Sequence, residues 1–419
     1  MRPADAAAPL NPSARAADFP PLPHPALAII RGWHGDLTEI RRQIHRNPEL
    51  GFEEHLTGDL VARQLESFGV DEVHRGIGKT GLVGVIRGSK TDSGRSIGLR
   101  ADMDALPMQE ENEFDHRSRL PGMMHGCGHD GHTTMLLAAA RYLAQTRQFD
   151  GTAHLIFQPG EEGFAGAQAM IDDGLFDRFS CDQVFAMHNW PALAPGKVAV
   201  RPGPMMAAAD RVTIRIEGQG GHGAHPHLCV DPVVVAAHII TAAQSIVSRN
   251  VPPMQSAVVS LCSLQAGSPG AFSVIPQSAM LTGTVRTFSE SVQDTIQKRL
   301  TALCASIGEA FGATARLEYE RLYPATVNHE AQALFGQQVA AEVFGPENLV
   351  TDLEASMGAE DFSFMLRARP GAYFRIGQGG AAAGRMLHNT RYDFNDAILP
   401  LGGALFARLA ERAMPLRTG

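Results

Sequence analysis

Cysteine is scarce in this chain. Its 419 residues include five, Cys127, Cys181, Cys229, Cys262 and Cys304, odd in number and far apart. That spacing excludes a disulfide framework and points to a reducing, cytoplasmic setting. No secretory leader is expected either. The opening MRPADAAAPLNPSARAADFPPLPHP is rich in Ala and Pro, contains acids and has no apolar core, and the following ALAII is too short to serve as one. Residues 1–23 are therefore expected to form a flexible tail. Long apolar runs are missing too. The most apolar stretch, VVVAAHIITAAQSIV, is interrupted by His238, Thr241, Gln244 and Ser245, and is expected to be a core-packed helix too short to span a bilayer. No charge of one sign dominates: 36 Lys and Arg stand against 44 Asp and Glu, a formal net charge of −8. That removes the electrostatic reason to expect nucleic acid or an anionic membrane as partner. Beyond the tail there are no repeats or low-complexity segments.

What is present has the composition of a soluble globular protein, with a length suited to two domains or more. A helical pattern runs from about Leu27 to Phe68. Strands and helices then alternate: GLVGVIRG and SIGLRA as strands, TTMLLAAARYLAQT as a helix, TAHLIFQP as a strand, GAQAMIDDGLF as a helix, QVFAMHNW as a strand. Such alternation predicts an α/β domain with a mainly parallel sheet. Near Ala209 the order becomes β-α-β-β-α-β, the arrangement of a small ferredoxin-like α+β sandwich. The expected organisation is a catalytic domain formed by residues 24–208 and 325–419, interrupted by a lid domain at 209–324.

The chemistry concentrates just past predicted strand ends. SIGLRA runs into Asp102 and Asp104, TAHLIF into QPGEEG with Glu161 and Glu162, and QVFAM into His188. Sites in open α/β sheets form at the carboxyl ends of strands. In MMHGCGHDGH, Cys127 and His129 sit between glycines at the start of a helix, an end that favours a thiolate. A thiolate and an imidazole two positions apart can both turn onto a divalent metal, and glycine leaves room for the ion. With a carboxylate from Glu161 or Glu162, and with His188, there are ligands enough for a metal pair. Each residue alone has a structural reading: a buried thiol, a solvated turn, a cap, a satisfied core histidine. The structural reading of the whole set requires all of them at once.

HRNPELGFEE, GLRADMDALPMQE, HGCGHDGHTTMLLAAARYL, FQPGEEGFAGAQAMIDDG, MHNWP, GAEDFSF and LHNTRYDFND together resemble the M20 metallopeptidase superfamily, in its amidohydrolase subfamily of hippurate hydrolases, N-acyl-amino-acid amidohydrolases and auxin-conjugate hydrolases. The resemblance covers nearly everything after Leu27. It implies that Cys127, His129, Glu162, His188 and His388 hold two divalent ions, drawn from zinc, manganese, cobalt or nickel. It implies Glu161 as general base and Asp104 as the support of a metal-site residue. His222, in GQGGHGAHP, matches a lid histidine that polarises the scissile carbonyl and that a dimer partner can supply; a homodimer or homotetramer through the lid is consistent with this. Arg286, in GTVRTF, falls in a lid strand associated with substrate binding. One departure is Ser273, in FSVIP, where asparagine is common.

The implied activity is metal-assisted hydrolysis of a small N-acyl amino acid. Two cations lower the pKa of a shared water, Glu161 takes its proton, and the cations with His222 stabilise the oxyanion. The rivals are a dipeptidase or aminopeptidase of the same superfamily, and a non-catalytic metal-binding protein. The first would need an acid dedicated to a free amine, and the second predicts loss of the base that Glu161 provides.

Overall fold

A computed structural model describes residues 24–416, so the tail expected at 1–23 lies outside the described residues. Three helices open the described chain, Pro25–Arg31, His34–Arg46 and His55–Phe68. The helical pattern read from Leu27 to Phe68 is thus broken twice, at Gly32 and at Asn47, which precedes Pro48 and leaves the helical region with φ of −128° and ψ of 60°.

The chain divides into two units. The first comprises Met1–Gly203, Asn328–Glu354 and Phe364–Gly419, the second Pro204–Val327 and Ala355–Ser363. The segment 355–363, expected in the catalytic domain, groups with the second unit because its backbone pairs there. Ser356 donates to the Met205 carbonyl at 2.9 Å, and Ala207 donates to Ser356 and Gly358.

An eight-stranded sheet forms the first unit, in the order Glu72–Ile77, Gly81–Arg87, Thr152–Gln158, Ser96–Asp102, Gln183–Trp190, Gly371–Gly377, Val198–Ala199, Leu349–Val350. The four central strands, from Thr152–Gln158 to Gly371–Gly377, run parallel, and the first two strands form an antiparallel hairpin. Covered on both faces, the central strands read as apolar runs rather than alternating ones. The helix His129–Thr146 is buried on nearly all sides and shares the core with the final helix Leu399–Ala413. The helix expected over GAQAMIDDGLF is two, Gly166–Asp172 and Leu175–Arg178, separated at Gly174 with φ of 82°.

The second unit is an antiparallel sheet in the order Ala257–Ala266, Ser278–Thr287, Ala208–Glu217, Thr314–Tyr323. Val212, Ile214 and Ile216 point to the core while Arg211, Arg215 and Glu217 face outward. Helices Pro232–Asn250 and Glu290–Ala310 cover the inner face. The first starts with Asp231 accepting from the Val233 amide and Pro232 in its first turn. At 19 residues it is long and apolar enough to cross a membrane by length and composition, contrary to the sequence expectation. Its buried stripe of Val235, Ala236, Ile239, Ala243 and Ile246 is that of a helix packed by one face on a sheet.

Candidate metal centre

Three adjacent parallel strands bring their carboxyl ends to one edge, and each delivers polar side chains there. Ser96–Asp102 ends in Asp102, with Asp104 two residues on. Thr152–Gln158 is followed by the turn Pro159–Gly160 and then Glu161 and Glu162. Gln183–Trp190 carries His188 near its end. The backbone of the glutamate pair is fixed by Asp104. Its Oδ1 accepts from the Glu161 amide at 3.0 Å and its Oδ2 from the Glu162 amide at 2.9 Å. The same Oδ1 lies 3.2 Å from His129 Nδ1. One buried carboxylate therefore sets two acids and an imidazole at once.

His129 is the first residue of its helix, and Gly128 precedes it with φ of 95°. A Cβ at Gly128 would sit 2.4 Å from Asn189 Oδ1 and 2.5 Å from the Tyr392 hydroxyl. Only glycine meets both conditions, which explains the residue after Cys127. His388 comes from a distant segment. Its amide donates to the Gly126 carbonyl at 2.8 Å, and its φ of 61° is unusual for a residue with a Cβ.

The five residues assigned as ligands by resemblance come together. Donor atoms of Cys127, His129 and His188 lie within 4.8 Å of one another, and so do those of Cys127, Glu162 and His388. Cys127 Sγ is 3.3 Å from His188 Nε2. Glu161 groups with His129 and Glu162. His222 and Arg286 belong to the second unit. Asp102 also joins a group, with His129 and His132.

Whether this set fits a metal pair can be judged from its unsatisfied atoms. His188 Nδ1 donates to the Asn189 carbonyl at 2.7 Å and His129 Nδ1 faces Asp104, so each ring presents Nε2 to the cluster. His129 Nε2 and Glu162 Oε1 are buried without a hydrogen bond, though Glu162 Oε1 is only 3.2 Å from His388 Nε2. Burial disfavours a charged His129, yet Asp102, Asp104 and Glu162 outweigh it and raise the imidazole to about 10. Burial and then His132 push His188 down, toward the neutral ligand form. The electrostatic demand is for cations, and the nitrogen, sulfur and oxygen donors suit borderline-soft divalent ions. The helix start is not the only influence on Cys127. Burial, then the Glu162 and Glu161 carboxylates, push the Cys127 thiol well up, against the pull of the helix end.

The layer beneath was not foreseen. Asp130 accepts from His45 Nδ1 at 2.8 Å and lies 3.5 Å from Arg41, which also pairs with Asp393 and Asp396. His132 bridges Asp102 and Asn189 at 2.6 Å each, and Asn189 reaches Tyr392 at 2.7 Å. Asp130 and His132 stand inside the HGCGHDGH stretch, so their density there was the available signal. Their partners His45 and Asn189 lie 85 and 57 positions away.

A family model described as Peptidase family M20/M25/M40 matches residues 98–412. Hippurate hydrolase of Campylobacter jejuni is 43% identical over 376 residues, covering 90% of this chain and 96% of its own. IAA-amino acid hydrolase ILR1-like 4 of Arabidopsis thaliana is 40% identical, over 89% of this chain and 84% of its own. Among solved structures, the Bacillus subtilis YxeP protein, described as a dinuclear metal binding peptidase from the M20 family, is 32% identical with a TM-score of 0.78, covering 91% of this chain and 98% of its own.

Proposed function

The chain belongs to peptidase family M20/M25/M40 and is a hydrolase of amide bonds; from that premise we propose that it cleaves N-acyl amino acids with a free α-carboxylate and an apolar acyl group, using Glu161 as general base beside two divalent ions. The observation that carries this reading is the pairing of Glu161 and Glu162 on one Asp104 carboxylate. The two carboxylates lie within 4.8 Å of each other and of His129 on backbones fixed by one acid, so one can serve as ligand and the other as base.

Cys127, His129, Glu162, His188 and His388 would hold the ions. When bound, these polarise the scissile carbonyl and lower the pKa of water. Glu161, only 7% exposed, sits where bulk water does not compete for its proton. It takes a proton as the water oxygen bonds to the carbonyl carbon. It returns that proton to the nitrogen as the C–N bond breaks, giving a carboxylic acid and an amine, and the acid's proton then passes to the amine to leave a carboxylate and an ammonium. Asp104 keeps Glu161 in register throughout.

His222 supplies a donor to the developing oxyanion. Its Nδ1 accepts the Ala224 amide at 3.1 Å, so in the neutral ring Nε2 carries the proton. His222→Ala is expected to lower kcat by roughly 10²- to 10³-fold, as loss of one oxyanion donor does, with metal content unchanged. Parallel kinetics and metal analysis check this, and metal loss would contradict it.

Arg286 is the proposed carboxylate clamp. The neighbouring arginines Arg211, Arg215 and Arg321 each pair with an acid, whereas among the described residues Arg286 forms no ion pair. It is half-buried, and its Nη1 donates to Thr284 Oγ1 and to the Val285 carbonyl. Burial first, against Asp210, pulls its basicity down, so a bound anion is welcome. Arg286→Ala is expected to raise KM roughly 10- to 100-fold for N-acyl amino acids, the scale of a hydrogen bond to a charged group, and far less for the matching amides. Equal effects on both would remove the clamp. Ser273 lies beside His222, its carbonyl accepting the Gly223 amide at 2.7 Å, and is a position to vary when preference is mapped. The direct test of the assignment is a metal-reconstituted screen over N-acyl amino acids of varied acyl and amine parts. Activity confined to peptides with a free amine would favour the peptidase reading instead.

A further inference from the structure

The turn that carries His222 holds more metal-binding side chains than amide hydrolysis uses. His222, His225, His227 and Cys229 fall within eight residues, and the three histidines are exposed. The segment is closed on itself. Gln219 and Val230 exchange both backbone hydrogen bonds at 2.9 Å. Between them, His225 donates to the His222 carbonyl at 2.8 Å, Leu228 to His225 at 3.0 Å and Cys229 to Pro226 at 3.1 Å.

This winding brings the side chains near one another, although among the described residues no three of their donor atoms yet lie within 4.8 Å of one another. The rings of His222 and His225 are 5.4 Å apart between centres, and those of His225 and His227 6.1 Å. Bonds of about 2.0–2.1 Å place two imidazoles on one tetrahedral zinc roughly 5 Å apart, centre to centre. The first pair of rings is already at that spacing, and the exposed side chains converge on one ion by rotation. Cys229 Sγ packs over Gly221, where a Cβ would approach it to 2.5 Å, so the thiol lies against the backbone that bears His222.

We propose that His222, His225, His227 and Cys229 form a further cation site in the second unit, for a soft divalent ion such as zinc, and that its occupation withdraws His222 from catalysis. Three imidazoles and a thiol are the donor set such ions prefer, and Cys229 releases its proton on binding. The inhibitory half rests on the role of His222 given above; the binding half does not.

Holoenzyme is titrated with zinc alone, and protein-bound zinc is counted by metal analysis alongside turnover of an N-acyl amino acid. The wild type is expected to take up one additional equivalent and lose at least about tenfold in activity over the same range. The double variant His225→Ala/Cys229→Ser is expected to match wild-type activity and metal content before zinc addition, which shows that it is folded, then bind no extra equivalent and stay active. Unchanged uptake by the variant, or no extra uptake by the wild type, overturns the site. Uptake lost in the variant, together with a fully active His222→Ala enzyme, would retain the site and overturn the role of His222.

Discussion

Glu161→Gln is expected to lower kcat by roughly 10²- to 10⁴-fold while metal content stays at the wild-type level. The amide keeps the shape of the side chain but cannot accept a proton. The backbone hydrogen bond from residue 161 to Asp104 does not depend on the side chain, so the neighbouring Glu162, the proposed ligand, stays in place. The two glutamates are thereby separable by measurement. Glu162→Gln is expected to weaken metal binding, whereas Glu161→Gln is expected to weaken turnover alone. Kinetics and metal analysis on the same preparations decide it. Near-wild-type turnover by Glu161→Gln would show that the base lies elsewhere.

Cys127→Ala is expected to lose metal, and with it activity. Cys127 is the one residue common to the group with His129 and His188 and the group with Glu162 and His388, so its removal weakens both halves of the centre. Loss of an outer partner of a metal ligand costs roughly 10- to 100-fold in affinity, and loss of this shared ligand should exceed that. Competition with a chelator of known affinity measures it. Wild-type metal retention in Cys127→Ala would take the thiol out of the centre.

Much of this site was legible because it depends on strand ends. The apolar runs TAHLIF and QVFAM mark strands buried on both faces, and the polar residues that follow them must emerge at one edge. The split β-α-β-β-α-β order was legible for a similar reason, since Val212, Ile214 and Ile216 alternate with Arg211, Arg215 and Glu217. The support layer was not. Arg41 reaches Asp396 and His45 reaches Asp130 through chain reversals that no local period encodes. Ala355–Ser363 joins the second unit through backbone pairing with Met205 and Ala207, which leaves no mark on side-chain pattern. For Cys127 the helix end is local and visible, whereas its burial and the opposing carboxylates of Glu162 and Glu161, which follow another strand, leave no local mark.

The central claim is that this centre hydrolyses an N-acyl amino acid rather than a peptide with a free amine. A cationic metal pair repels an ammonium beside the scissile carbonyl unless an acid is dedicated to it. The most direct measurement is kcat/KM of the metal-reconstituted enzyme for N-benzoylglycine and for glycylglycine under the same conditions. The account predicts cleavage of N-benzoylglycine with glycylglycine left nearly untouched. Faster cleavage of glycylglycine would contradict it.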